Sequence, residues 1–288
     1  MEFPDYFADA ESSFEAASFI FFGVPFEKTS SFRHGADKGP SEIRQASWNF
    51  ERYDLRTGMN FKDILVHDYG DLNVQKLNSK ELFTTVKKFT STVLQKKKIP
   101  IAIGGDHSIT PGIVSAFPKD IAVLSLDAHM DYRQEYKNDI YNHACVIRRI
   151  ADHIPLQNIA VLGIRSAEKE EYEVAQKQEL FFRDAFTINN TGMKKIIQQT
   201  KTLLKGKKIY LTLDIDVVDP AYAPGTSTPE PFGLTPMQVI EIIEAFSPQL
   251  IGCDLVEVCP PYDQGQTAVL GAKLIKTCLS FMWRERQA

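Results

Sequence analysis

The 288-residue chain is poor in cysteine, and Cys145, Cys253, Cys259 and Cys278 lie far apart with no Cys-x-x-Cys pair. That spacing indicates neither a disulfide framework nor a thiolate zinc knuckle, so reduced, buried thiols are expected. No apolar run approaches the ~20 residues that a membrane-spanning helix requires. The stretch from Met1 to Ser18 is acidic and lacks the charged-then-apolar layout of a secretory signal. A cytoplasmic protein without a membrane partner is therefore expected. Positive charge is not in excess either, since 33 Lys and Arg against 37 Asp and Glu give a formal net charge of −4. Such a balance provides no general basic surface for nucleic acid, and the one basic run, Lys96-Lys97-Lys98, reads as a solvated helix end.

What is present is ordinary globular material, 43% hydrophobic and 24% charged. Short apolar or β-branched runs recur at Phe19 to Phe22, Ile64 to Val66, Ile99 to Ile103, Ile121 to Leu126, Ile159 to Gly163, Leu180 to Phe182, Tyr210 to Leu213 and Ile251 to Val258. Most are too short for helices and apolar on both faces, as buried parallel strands are. Between them lie helical patterns with legible starts. Asn78 and Glu81 are spaced as a capping box before Leu82, Phe83, Val86 and Phe89, and Thr235-Pro236-Met237-Gln238 repeats the signature with proline at the first helical position. The segment Thr267 to Trp283 is long and apolar enough to pack on a sheet. Strand and helix alternate to the end with no linker or repeat, which predicts one α/β domain over residues 1–288 with a mainly parallel sheet covered on both faces.

Three of the strand-like runs end in clusters of metal-binding side chains. Asp127-Ala128-His129-Met130-Asp131 follows one run, Asp214-Ile215-Asp216 another, and Gly104-Gly105-Asp106-His107-Ser108 a third. Alternate residues of an extended chain share a face, so Asp127, His129 and Asp131 would converge if the strand ended in a bend, and Gly104 and Gly105 would permit a tight turn presenting His107. Ligands of open α/β sheets bind beyond the carboxyl ends of the strands. Four carboxylates crowded there would repel one another without cations. Four Asp and two His with no thiolate suit Mn²⁺, Mg²⁺ or Co²⁺ better than a structural zinc. Six ligands exceed the need of one ion with an open position, which points to a two-metal site able to acidify a bridging water into a hydroxide nucleophile.

At these residues the chain resembles the ureohydrolase family, which includes arginases and agmatinases. The resemblance runs from Arg33-His34-Gly35 and Gly39-Pro40-Ser41-Glu42-Ile43-Arg44 through the three clusters to Asp254-Leu255-Val256-Glu257-Val258. It implies a three-layer αβα fold around an eight-stranded parallel sheet, and a homo-oligomer, trimer or hexamer. It implies two Mn²⁺ per subunit bridged by Asp127 and Asp214, with His107 and Asp131 completing one shell and His129 and Asp216 the other. Asp131 would also orient the bridging hydroxide. His143, in Asn142-His143-Ala144-Cys145, matches the family's proton-handling histidine, as suits an imidazole. Glu257, read as an interior residue of its strand, matches the glutamate that holds the substrate's guanidinium in paired charge-assisted hydrogen bonds.

The stretch Tyr132-Arg133-Gln134-Glu135-Tyr136 lacks the Asn that arginases commonly place there, whereas Ala223-Pro224-Gly225-Thr226-Ser227-Thr228-Pro229 looks agmatinase-like apart from Ser227. The resemblance thus implies hydrolysis of agmatine to putrescine and urea. Guanidinobutyrate, N-aminopropylagmatine and arginine are alternatives, and Arg133 is either a reader of a carboxylate tail or the partner of Glu135 or another loop acid. Two rivals come from other classes. One is a single-zinc hydrolase of the related deacetylase fold, against which the six-ligand set argues. The other is a non-catalytic homologue regulating polyamine metabolism, which would be expected to have lost ligands that this chain retains.

Overall fold

A computed structural model of the chain describes residues 3–287, so Met1 and Glu2 of the acidic N-terminal stretch and Ala288 lie outside the described residues. Eight strands are formed: β1 (Phe19–Val24), β2 (Val66–Asp71), β3 (Ile99–Gly104), β4 (Ala122–Leu126), β5 (Ile159–Ile164), β6 (Phe181–Asp184), β7 (Ile209–Asp214) and β8 (Leu250–Val256). All pair in parallel in one sheet of order β2-β1-β3-β8-β7-β4-β5-β6. The helices are α1 (Gly39–Ser47), α2 (Ser79–Gln95), α3 (Thr110–Val114), α4 (Val146–Ala151), α5 (Lys169–Lys177), α6 (Ala185–Thr191), α7 (Met193–Leu203), α8 (Pro236–Phe246) and α9 (Gln266–Gln287).

Alternation along the strands explains the three layers. Phe19, Phe21, Ile101, Ile103, Leu124 and Leu126 enter one apolar cluster with residues of α1, α7, α8 and α9. Phe22, Val24, Ala102, Val123 and Val161 enter another with residues of α2, α3, α4 and α5. Both faces of the central strands are thus dry, which is why their sequences lack a polar-apolar alternation. Both expected capping boxes form, Asn78 with Glu81 and Thr235 with Gln238.

One strand lies elsewhere than expected. Ile64 closes a 3-10 turn, and the edge strand begins only at Val66 and runs through His67, Asp68, Tyr69 and Gly70. An edge strand is half open to solvent and tolerates polar side chains that would be costly in the centre. Asp68 and Asp71 also hold Arg44 of α1, whose Nε lies 2.8 Å from Asp68 Oδ2 and whose Nη1 lies 2.5 Å from Asp71 Oδ1. The basic run at residues 96–98 does follow α2, but Lys98 is tied back by donating from Nζ to the Ala17 carbonyl at 2.6 Å.

The strand order positions the candidate site. β7 and β8, late in the sequence, are inserted between β3 and β4, so β3-β8-β7-β4 occupy the middle of the sheet. Neighbouring strands are ~4.8 Å apart, so residues following these four strands converge even though His107 and Glu257 are 150 positions apart.

Candidate metal centre

Each of the four central strands ends differently. After β3, Gly105 lies so close to the segment following β1 that an added Cβ would stand 2.0 Å from the Phe26 carbonyl oxygen. The glycine is required by this close approach and not by a left-handed turn, and Asp106 N then donates to the same carbonyl at 2.7 Å. Asp106 caps the 3-10 turn His107–Ile109, which places His107 at its first position. After β4 the extended alternation continues to His129, which bridges to Ser166, while Ala128 and Met130 point into the core. Asp131 then turns back with φ 49. Its carbonyl accepts from Ile147 N at 2.9 Å, tying the bend to α4. After β7 the chain does not stay extended. Asp214 ends the strand and caps a 3-10 turn, accepting from Asp216 N at 2.9 Å, and this tightening brings the two carboxylates together.

Glu257 requires a correction. It is not interior to β8, which ends at Val256, but takes up the first position beyond the strand with φ 64. A left-handed glutamate is strained, and such strain tends to collect at functional sites. Here Glu257 N donates to the Gly105 carbonyl at 2.8 Å, and its Oε1 accepts from His107 N at 2.7 Å. The adjoining loop is anchored by a bridge between Thr226 and Val258, which keeps Ser227 buried near Glu257.

Five of the six expected ligands form two groups, His107 with Asp127 and Asp214, and Asp127 with His129 and Asp216, each with ligand atoms within 4.8 Å of one another, whereas Asp131 falls in neither group. Asp127 is common to both. His107 Nδ1 lies 3.1 Å from Asp127 Oδ2, 3.3 Å from Asp214 Oδ2 and 3.4 Å from Asp131 Oδ2, and His129 Nδ1 lies 2.9 Å from Asp216 Oδ2. Asp214, expected to bridge, lies in the group with His107 and Asp127.

Buried residues behind the site hold His107 in place. His107 Nε2 is 2.9 Å from Thr212 Oγ1, and the Thr212 hydroxyl donates to Asp254 Oδ1 at 2.6 Å. With that proton committed to Asp254, the neutral ring must donate from Nε2, which leaves the Nδ1 lone pair facing the carboxylates. Tyr210 and Thr110 donate to Asp254 Oδ2 at 2.8 and 3.0 Å. This support was not identified from the sequence. Its signal was there, as polar Thr212 and Asp254 interrupt apolar strands and are register partners.

Whether cations fit can be judged from the polar atoms. His107 Nδ1 and Asp127 Oδ2 face each other at 3.1 Å without a hydrogen bond between them, and Glu257 Oε2 is likewise buried without a hydrogen-bond partner. Such orphans are rare and require an explanation. Cations would satisfy the first two, and the donor set of carboxylates and imidazoles is the set that hard and borderline divalent ions take. Burial pushes Asp131 up to about 7, with Asp127 adding to the effect. Burial also raises the Asp127 carboxyl and, more strongly, that of Asp214. His129 is raised well above its usual value because Asp216 and Asp127 outweigh burial.

These shifts predict how metal and protons compete. An unfolded Asp titrates near 3.9, so metal-free protein binds more protons folded than unfolded and loses stability as pH rises from about 4 through about 7, the value for Asp131. Bound cations favour the ionised ligands. The difference in Tm between metal-loaded and chelated protein is therefore expected to widen from pH 5 to pH 8 in scanning calorimetry. A flat or narrowing difference would contradict metal binding at these carboxylates.

His143 and Glu257 both line a cavity of about 170 Å³ over the two groups, together with Ser31, Arg133, Tyr136 and Thr228. Burial lowers His143 to about 4 and raises Glu257 to about 8, the latter with help from Asp106. Arg133 does not pair with Glu135. It lies 3.6 Å from Glu171 and 3.7 Å from Glu168, with its guanidinium 4.8 Å from the Tyr136 ring centre. Among the described residues no helix is long and apolar enough to cross a membrane.

Known proteins are similar to this chain over most of its length. The sequence is 32% identical to an agmatinase of Bacillus anthracis over 280 residues, covering 95% of this chain and 94% of that one. It is 36% identical to an N(1)-aminopropylagmatine ureohydrolase of Thermococcus kodakarensis, covering 91% and 89%. The structure superposes on the agmatine ureohydrolase of Thermoplasma volcanium with a TM-score of 0.95 and 37% identity, covering 100% and 97%. The Arginase family model matches residues 17–280, a span holding all four central strand ends with their His and Asp groups. This chain accordingly belongs to the arginase family of ureohydrolases.

Proposed function

We propose that the protein hydrolyses agmatine to putrescine and urea, with two Mn²⁺ ions held by His107, Asp127, His129, Asp131, Asp214 and Asp216. The observation that carries the reading is the buried, unpartnered Glu257 Oε2 in the same cavity as the two ligand groups. A guanidinium laid against that oxygen supplies the missing donors, and charge-assisted pairing of this kind is strong in a buried site. The ions, when bound, acidify a water and neutralise the four carboxylates. Glu257 holds the planar guanidinium with its central carbon turned toward the ligand groups, while the backbone of His107 fixes Glu257 in place. Asp131, turned back toward His107, is placed to orient the attacking water. His143, neutral near pH 7 as burial makes it, takes up a proton and returns it to the leaving amine.

The tail is argued from charge. Glu168 and Glu171 bracket Arg133, so its positive charge is already balanced and a carboxylate tail would face acids at the mouth. A cationic tail is favoured. N-aminopropylagmatine is a second reading, because a further cavity of about 670 Å³ adjoins the first through Arg133, Glu168 and Glu171 and has room for a longer amine. The test is urea release with Mn²⁺ across four substrates. Agmatine is expected to exceed guanidinobutyrate and arginine in kcat/KM by at least about tenfold, the ratio ~1.4 kcal/mol produces. Preference for aminopropylagmatine would select the second reading, and preference for either carboxylate-bearing substrate would overturn both.

A further inference from the structure

Among the described residues, no group hydrogen-bonds His143 Nε2, whereas its other ring nitrogen, Nδ1, lies 3.2 Å from Thr29 Oγ1. The same hydroxyl oxygen accepts from His143 N at 3.0 Å. Where the Thr29 proton points is decided one residue further back. Asp106 is fully buried, and its Oδ2 receives both Thr29 N at 3.0 Å and Thr29 Oγ1 at 2.9 Å. Its Oδ1 receives Ser108 N at 3.1 Å and the Ser108 hydroxyl. Four donors converging on one carboxyl group leave it as an acceptor at both oxygens.

We infer that Asp106 and Thr29 are positioning residues that lock the tautomer of His143, so that Nδ1 carries the proton and Nε2 presents a lone pair to the substrate cavity. The hydroxyl of Thr29 donates to Asp106 and has only lone pairs to offer His143. A neutral imidazole facing an acceptor at Nδ1 must be protonated there, which leaves Nε2 bare. The ring's backbone N–H donates to the same oxygen, so two contacts to one atom also set its orientation. His107 is arranged by the same logic with the nitrogens exchanged, through Thr212 and Asp254. Each histidine thus turns its unprotonated nitrogen toward the place where chemistry is expected, and each does so through a threonine whose proton is held by a buried aspartate. Asp106 has a second consequence. It caps the turn that carries His107 and also holds the hydroxyl that sets His143, so one buried carboxylate ties a metal-ligand candidate to the proton-handling residue.

This inference rests on the proposed role of His143 for its catalytic consequence, but the tautomer can be read without activity. Nitrogen-15 spectra of the Mg²⁺-loaded protein, with His143 assigned through His143→Asn, are expected to show a protonated Nδ1 and an unprotonated Nε2. Thr29→Val keeps the shape and removes the hydroxyl, and is expected to yield a mixture of tautomers. With Mn²⁺ and the preferred guanidino substrate, it should lower kcat by ~10–100-fold, as loss of an orienting partner commonly does, with KM within about threefold. Thr29→Ser should restore both the spectrum and kcat. A protonated Nε2 in the unaltered protein, an unchanged tautomer in Thr29→Val, or a Ser variant as impaired as Val would overturn the inference. Should no guanidino compound release urea, the reaction assignment fails while the spectra still decide the tautomer.

Discussion

Asp127→Ala is expected to empty both ion positions and to lower metal-dependent urea release by at least ~10⁴-fold, about 5.5 kcal/mol of barrier. Asp127 is the single side chain shared by the two ligand groups, and it is fully buried. Its Oδ2 faces His107 Nδ1 at 3.1 Å, while its Oδ1 accepts from His129 N at 2.6 Å. Truncation therefore removes a ligand from each group and releases the backbone that presents His129. What remains, His107, Asp131 and Asp214 on one side and His129 and Asp216 on the other, lacks the shared carboxylate and falls short of the coordination that Mn²⁺ or Mg²⁺ requires. The fold should survive, because the crowded carboxylates repel one another and removal of one relieves that repulsion. Elemental analysis should find fewer than about one ion per chain where the parent holds two, with the far-ultraviolet circular dichroism unchanged. A folded variant that retains two ions and full activity would remove Asp127 from the centre.

Glu257→Gln separates substrate binding from metal binding. Glutamine keeps an acceptor for His107 N and nearly the same volume, so the turn at residue 257 and both ligand groups should persist. Burial raises Glu257 to about 8, so the carboxylate charge is drawn out by the guanidinium laid against the buried Oε2, and glutamine cannot supply that charge. Loss of one member of a buried charge pair costs ~2–5 kcal/mol, so kcat/KM should fall by ~30-fold to ~4,000-fold while two ions remain bound. Steady-state urea release and elemental analysis on the same preparation check this. Unchanged kcat/KM would show that the guanidinium is held elsewhere, and loss of metal would show that Glu257 acts on the centre itself.

Much of the architecture was legible in sequence for a physical reason. Strands dry on both faces are apolar at most positions, so seven of the eight runs announced their strands to within a few residues. The exception, β2, lies at the sheet edge, where partial solvation removes the signal that a buried strand carries. Helix starts were legible because capping is local, the bonds of Asn78 and Thr235 closing within three residues. Local geometry at the strand ends was less legible. The alternation rule assumes extended backbone, but Ile215–Val217 form a 3-10 turn capped by Asp214, and Asp131 and Glu257 adopt left-handed conformations that no residue type there demands.

The sequence by itself determined which side chains could meet a metal, because ligand chemistry is a property of residue type and the resemblance supplied their grouping. The tertiary structure decided how those side chains are held. That Thr212 and Asp254 orient His107, that Thr29 and Asp106 orient His143, and that Arg133 pairs with Glu168 and Glu171 all depend on contacts between segments the sheet brings together. Such contacts carry no spacing in sequence: the late insertion of β7 and β8 between β3 and β4 creates the one at His107, and the others join loops that follow β1, β3, β4 and β5.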